Sequence, residues 1–199
     1  MASQFDGLKR TLLLAGACGA SLVLMGFLGF GEQKSGGLDP EDVADMLHAV
    51  MEADRSVYTK AVVQRLTLLD KVITASEHFT DEKALPLPAQ MFRMGAEAAA
   101  EKTTKFSYSL LSLTPINKQN NARTDVEREG MEAVAANKTE NFYGEEQLGS
   151  KRYFTAVYPD IAVAEACTKC HNEHKDSPRR DFKLGDVMGA VVIRIPLSE

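Results

Sequence analysis

The longest apolar run comes first along the chain and carries no charge: Thr11 to Gly31 reads TLLLAGACGASLVLMGFLGFG. Its 21 residues match the roughly 20 that span hydrocarbon as a helix. Lys9 and Arg10 precede the run, and Glu32 and Lys34 follow it. The positive flank predicts that the N-terminus stays inside and that everything after Gly31 is exported. A cleaved signal peptide would need a shorter apolar core with a small-residue cleavage site just after it. Ala15-Gly16-Ala17 has such letters but lies within the run. A lipid-modified Cys18 would want leucine where Ala15 stands. An uncleaved anchor is expected, with Cys18 as a small apolar residue in lipid. Ala15/Gly19, Gly16/Ala20 and Ala17/Ser21 repeat at four-residue spacing, which would let another membrane helix approach.

The periods change beyond a linker at 32–38. Asp39-Pro40-Glu41-Asp42 opens a helix, with a capping residue, a first-turn proline and acids at the positive end of the dipole. Val43, Leu47, Val50, Val57, Ala61 and Leu68 keep helical spacing and carry it to about Leu69, towards His78. Leu85-Pro86-Leu87-Pro88 breaks the chain, and a second helix follows to about Lys102. Phe106, Tyr108 and Leu110 then alternate with Ser107 and Ser109, as in a strand. Pro115 to Asn121 reads as a loop. Thr124 with Glu127 forms a capping box for a helix to Ala136. Lys151–Tyr158 and Val187–Ile195 read as strands, with Gly144, Gly149 and Gly185 at turns. Helices first, then a small antiparallel sheet, predict one α+β domain over 39–199.

The net charge of −5 and the lack of a basic stripe exclude nucleic acid as the expected partner. An acidic surface is consistent with docking to a basic redox partner.

The chemistry concentrates in Cys167-Thr168-Lys169-Cys170-His171. This is C-x-x-C-H, the pattern of covalent c-type haem attachment. Two thiols add to the porphyrin vinyl groups as thioethers, and the next histidine becomes the proximal iron ligand. A zinc site needs four ligands, whereas the chain has three cysteines, one of them the distant Cys18. Cys167, Cys170, His171 and His174 could make only a cramped Cys₂His₂ set. Nor does the motif sit near a βαβ pattern, as a thioredoxin-type dithiol should. One covalently attached haem c is therefore expected. Haem attachment on the exported side of a bacterial membrane agrees with the predicted topology.

Several further runs carry a resemblance. They are Asp54-Arg55-Ser56-Val57-Tyr58-Thr59, Leu85-Pro86-Leu87-Pro88-Ala89-Gln90-Met91-Phe92-Arg93, Leu113-Thr114-Pro115-Ile116-Asn117, Tyr158-Pro159 and Gly185-Asp186-Val187-Met188-Gly189. With the haem motif, these residues make the stretch from about 40 to 196 resemble the PAS-like c-type haem family. That family includes standalone proteins, for example cyanobacterial ones, and sensor domains of bacterial kinases and chemoreceptors. The resemblance implies a PAS-like antiparallel sheet with flanking helices. It also implies redox sensing, gas sensing or electron transfer.

A distal cysteine ligand, known in one branch of the family, has no counterpart in the exported part of this chain. Met91 is the first candidate for that position, with Gly95 and Ala99 expected to leave room for a flat macrocycle. Met94, His48 and His78 are its rivals. Lys175, Arg179 and Arg180 are candidates to lie near the propionates. The expected function is a periplasmic cytochrome, anchored in the inner membrane by one span. It would transfer single electrons or sense redox state, alone or within a membrane complex, rather than act as an enzyme. A gas-sensor subunit signalling through a partner protein is the second reading, and a peroxidase-like enzyme the third.

Overall fold

The computed structural model describes residues 37–198. The expected anchor at 11–31 lies outside them. Among the described residues no helix is long and apolar enough to cross a membrane.

Helix α1 (Pro40–Val57) starts as its sequence requires: the Asp39 side chain accepts from the Glu41 amide, and Pro40 occupies the first turn. The helix then widens over Tyr58–Leu69 into i→i−5 bonding; the Asp70 amide, for instance, donates to the Arg65 carbonyl at 2.8 Å. A π-helical stretch of 12 residues is far longer than the usual single-turn bulge. It ends where expected, at Leu69. A two-residue parallel pair follows, β1 (Thr74–Ala75) with β2 (Ala84–Leu85). Helix α2 (Pro88–Ala100) begins with Pro88 in its first turn, its entry held by the Gln90 side chain on the Leu87 amide at 2.9 Å.

The remaining strands form one antiparallel sheet. They are β3 (Ser107–Leu111), β4 (Phe142–Leu148), β5 (Lys151–Ile161) and β6 (Val187–Pro196), in spatial order β3-β6-β5-β4. Helices cover both faces. Ala156, Tyr158, Val191 and Ile193 pack with Ala44 of α1 and Phe92 of α2. Val157, Ala190, Val192 and Leu111 pack with Met131 and Val134 of α3 (Asp125–Ala136). Because β5 and β6 are covered on both sides, successive residues 190–193 are all buried. Their sequence is thus a continuous apolar run instead of an alternation. Each large side chain withdrawn from water there contributes about 1.5–3 kcal/mol. Gly130 lets α3 sit close to β5, since a Cβ there would stand 2.5 Å from Val157 Cγ2.

The α+β class and antiparallel sheet agree with the sequence. Local detail differs from it in three places. Gly144 lies inside β4 and not at a turn. Its strand escaped notice because Glu145 and Glu146 break the apolar alternation. The β1–β2 pair is too short to leave a pattern. The cysteine motif lies on a helix, α4 (Glu165–Glu173), that the residue pattern does not predict.

Glu146 owes its place in β4 to a buried polar network. Thr155 Oγ1 and Arg194 Nε both donate to Glu146 Oε1 at 2.7 Å, and Arg194 Nη2 donates to Glu127 Oε1 at 2.6 Å. Glu127 is the capping-box residue of α3, and only 1% of it is exposed. Arg194→Ala would strand two carboxylates in the interior. We expect it to lower unfolding free energy by about 3–5 kcal/mol in urea titrations.

Burial alone would raise the Glu146 carboxyl. The hydrogen bonds from Thr155, Arg194 and Thr124 outweigh it and hold the group below its usual 4.5. The unfolded chain therefore takes up the extra proton as pH falls. The stability this carboxylate contributes is complete above 4.5 and is lost through the lower folded value. Urea titrations between about pH 5 and pH 3 should show a shallower loss of stability for Glu146→Gln than for the parent.

Candidate functional site

Strand β5 ends at a bulge between Asp160 and Ile161, just after Pro159. Neighbouring β4 has already stopped pairing at Val157, so the missing proline N–H costs no ladder bond on that side. The chain then turns into α4. Ala162 and the 183–186 turn brace the turn by reciprocal bonds: the Ala162 amide donates to Asp186 at 2.9 Å, and Gly185 donates back to Ala162 at 3.0 Å. Gly185 has φ +83, which favours glycine. Helix α4 has no side-chain cap at Ala164, and its nine residues leave little periodicity. Those two facts hid it in the sequence.

On a helix of 3.6 residues per turn, Cys167, Cys170 and His171 project from one side. Both thiols are free. Cys167 is half-buried against Ala162, Phe182 and Met188. Cys170 is exposed at the surface; desolvation, with the charges of Cys167, Glu173 and Glu77, raises its thiol above the usual range. The His171 ring meets Phe182 edge to face, centroids 5.8 Å apart. Burial, helped by Arg55 and His174 and opposed by Asp160, pulls the imidazole below its usual value and favours the neutral ring. Its Nδ1 is buried with no hydrogen-bond partner among the described residues. A neutral imidazole with a free ring nitrogen is the form that ligates metal.

Two devices hold Phe182 against that histidine. The Asn172 side chain donates to the Phe182 carbonyl and accepts from its amide, both at 2.9 Å. The Arg179 guanidinium lies 4.3 Å above the Phe182 ring and is paired with Asp181 and Asp186. Arg179 is thus already engaged with these partners. Arg180 donates to the Lys175 carbonyl at 2.7 Å. His174 accepts the Asp176 amide through Nδ1. The thiols and histidine nevertheless fit a covalently held haem: two accessible sulfurs one turn apart and a neutral ring beside them. Among the described residues no three His, Cys, Asp or Glu side chains gather as metal ligands, so the Cys₂His₂ arrangement gains no support.

The distal candidates scatter. His48 stacks on Tyr158 at 3.9 Å and 7°, and burial lowers its pKa despite nearby Glu52, Asp45 and Asp160. The Tyr158 hydroxyl donates to Asp45 at 2.7 Å. Met94 is exposed. His78 is exposed beside Glu77 at 3.6 Å. Met91 is half-buried in the first turn of α2. At Gly95 the room expected for a macrocycle is taken by Tyr108, whose hydroxyl lies 2.8 Å from where a Cβ would stand. Indirect links alone join Met91 and His78 to the motif among the described contacts. Cys170 feels the Glu77 charge, and the Glu77 carbonyl accepts from Gln90, next to Met91, at 2.8 Å.

Sequence reasoning missed a cleft of about 1530 Å³ lined by Lys71, Lys83, Lys169 and Lys183. Its α4 residues are Glu165, Thr168 and Lys169, on the side of the helix opposite the thiols. The lysines are spread along the chain, and no linear pattern joins them.

Among proteins of curated function none matches the chain. The crystal structure of the cyanobacterial heme-protein Tll0287 is similar at 14% identity and a TM-score of 0.47, over 81% of this chain and 99% of that one. The family model described as Tll0287-like matches residues 36–196. That match spans well over half of the sequence, and the chain belongs to the Tll0287-like family.

Proposed function

We propose that this protein is a c-type haem protein with a PAS-like domain, exported and anchored through residues 11–31, that transfers single electrons or senses redox state. The observation that carries the reading is the common side of α4. It presents Cys167 and Cys170 for thioether attachment and His171 as proximal ligand. One haem c would supply reversible ferric–ferrous chemistry. The chain's own part is to orient and shield. Phe182 fixes the His171 ring, Asn172 fixes Phe182, and the Cys167 sulfur is kept among Ala162 and Met188. Arg55 and Asp160 are paired with each other and act on His171 in opposite directions. Paired, oppositely signed charges beside the proximal histidine suit a change of iron charge, as a carrier or redox sensor requires.

Met91 is the distal ligand in this reading: it follows Gln90, whose side chain bonds the Glu77 carbonyl, and the Glu77 charge acts on Cys170. His–Met ligation would raise the reduction potential.

The attachment is tested by making the protein in a host that matures c-type haem and extracting it with acid–acetone. The parent should keep its haem, and Cys167→Ala/Cys170→Ala should lose it. Retention by the double variant would contradict covalent attachment at these residues. The distal assignment is read from reduced spectra under CO. The parent should bind CO slowly or not at all, and Met91→Ala should bind it promptly. Prompt binding by the parent would rule Met91 out.

A further inference from the structure

The lysine-lined cleft is independent of the thiol side of α4. Four cations, Lys71, Lys83, Lys169 and Lys183, face one acid, Glu165. None of the four pairs with a carboxylate among the described residues. In a chain of net charge −5, this is a concentrated positive field. Between the lysines the walls are apolar: Leu68, Ile73 and two strongly exposed side chains, Val72 at 70% and Leu184 at 57%. Apolar side chains set between the cations give the cleft an amphipathic lining.

The backbone is unusual at the same place. The long π-helical stretch ends on this wall with Thr67 and Leu68. Lys71 has φ 54, the only positive value at a non-glycine among the described residues. A left-handed lysine costs conformational energy, and strain of this kind clusters at ligand sites.

We propose that this cleft binds an anionic amphiphile of the long-chain carboxylate class. The hydrocarbon chain would lie on Leu68, Ile73 and Leu184. The carboxylate would sit among the lysine ammonium groups. A small polar anion would leave the apolar walls wet, and a neutral lipid would leave the lysines without partners. The cleft is also roomier than the roughly 300–1,000 Å³ of most small-molecule pockets, which suits a flexible chain.

Isothermal titration calorimetry of the full-length holoprotein in a mild non-ionic detergent tests the proposal, with dodecanoate and dodecyltrimethylammonium as probes. Dodecanoate should bind saturably below its micelle concentration, and the cationic probe at least tenfold more weakly. Lys71→Glu/Lys183→Glu and, separately, Leu184→Asp should each weaken dodecanoate at least tenfold. Lys151→Glu, in the distant β4–β5 hairpin, should change nothing. Urea midpoints confirm that each variant is folded. Equal binding of both probes, or indifference to the cleft variants, would overturn the proposal. So would loss of covalent haem from the lysine variants, because it would place the haem in this cleft. Failure of the attachment test at Cys167 and Cys170 would leave dodecanoate binding untouched, so the two readings fail separately.

Discussion

The arrangement around the motif depends on the buried ion pair between Arg55 and Asp160. Arg55 belongs to the last turn of α1, and Asp160 closes β5 at the bulge, 105 residues later. The guanidinium takes both carboxylate oxygens, with side-chain exposures of 16% and 10%. Such a pair is a weak source of net stability, yet removing one partner leaves a charge in the interior at a cost of about 3–5 kcal/mol. Its effect is to fix position. It ties the long helix to the point where the chain leaves the sheet for α4. His171 then stands within the influence of both charges, which act on it in opposite directions.

From that point the motif is built by short-range contacts. The Ala162–Asp186 bonds close the loop, the Asn172–Phe182 amide exchange clips it to α4, and Phe182 stops the His171 ring from turning. A site on a helix braced from both ends keeps its geometry better than one on a free loop. The other side of the same helix carries none of this machinery and opens instead on the lysine cleft. One nine-residue helix thus separates two chemically different surfaces.

How much of this was legible in the sequence follows from how local each signal is. The start of α1, the break at Leu85–Pro88 and the Thr124–Glu127 box are written within a few residues, and the structure has all three. The cysteine motif names its chemistry in five letters but not its element. Helix α4 is clipped by the bonds between Asn172 and Phe182, ten residues apart, and not by a cap of its own. Strand β4 was hidden because Glu146 is buried by partners that lie on β5 and β6. The π-helical widening of α1 has no known letter code. The cleft joins residues from 67 to 184, and Gly95 lies against a tyrosine on the next strand. Such placements arise only from packing.

The central claim is that one side of α4 carries a covalently bound haem. Tandem mass spectrometry of the protein matured in a c-haem-competent host tests it most directly. The account predicts one haem mass on the peptide spanning Cys167 to His171, with both cysteines modified. Unmodified cysteines in a haem-containing preparation would contradict it.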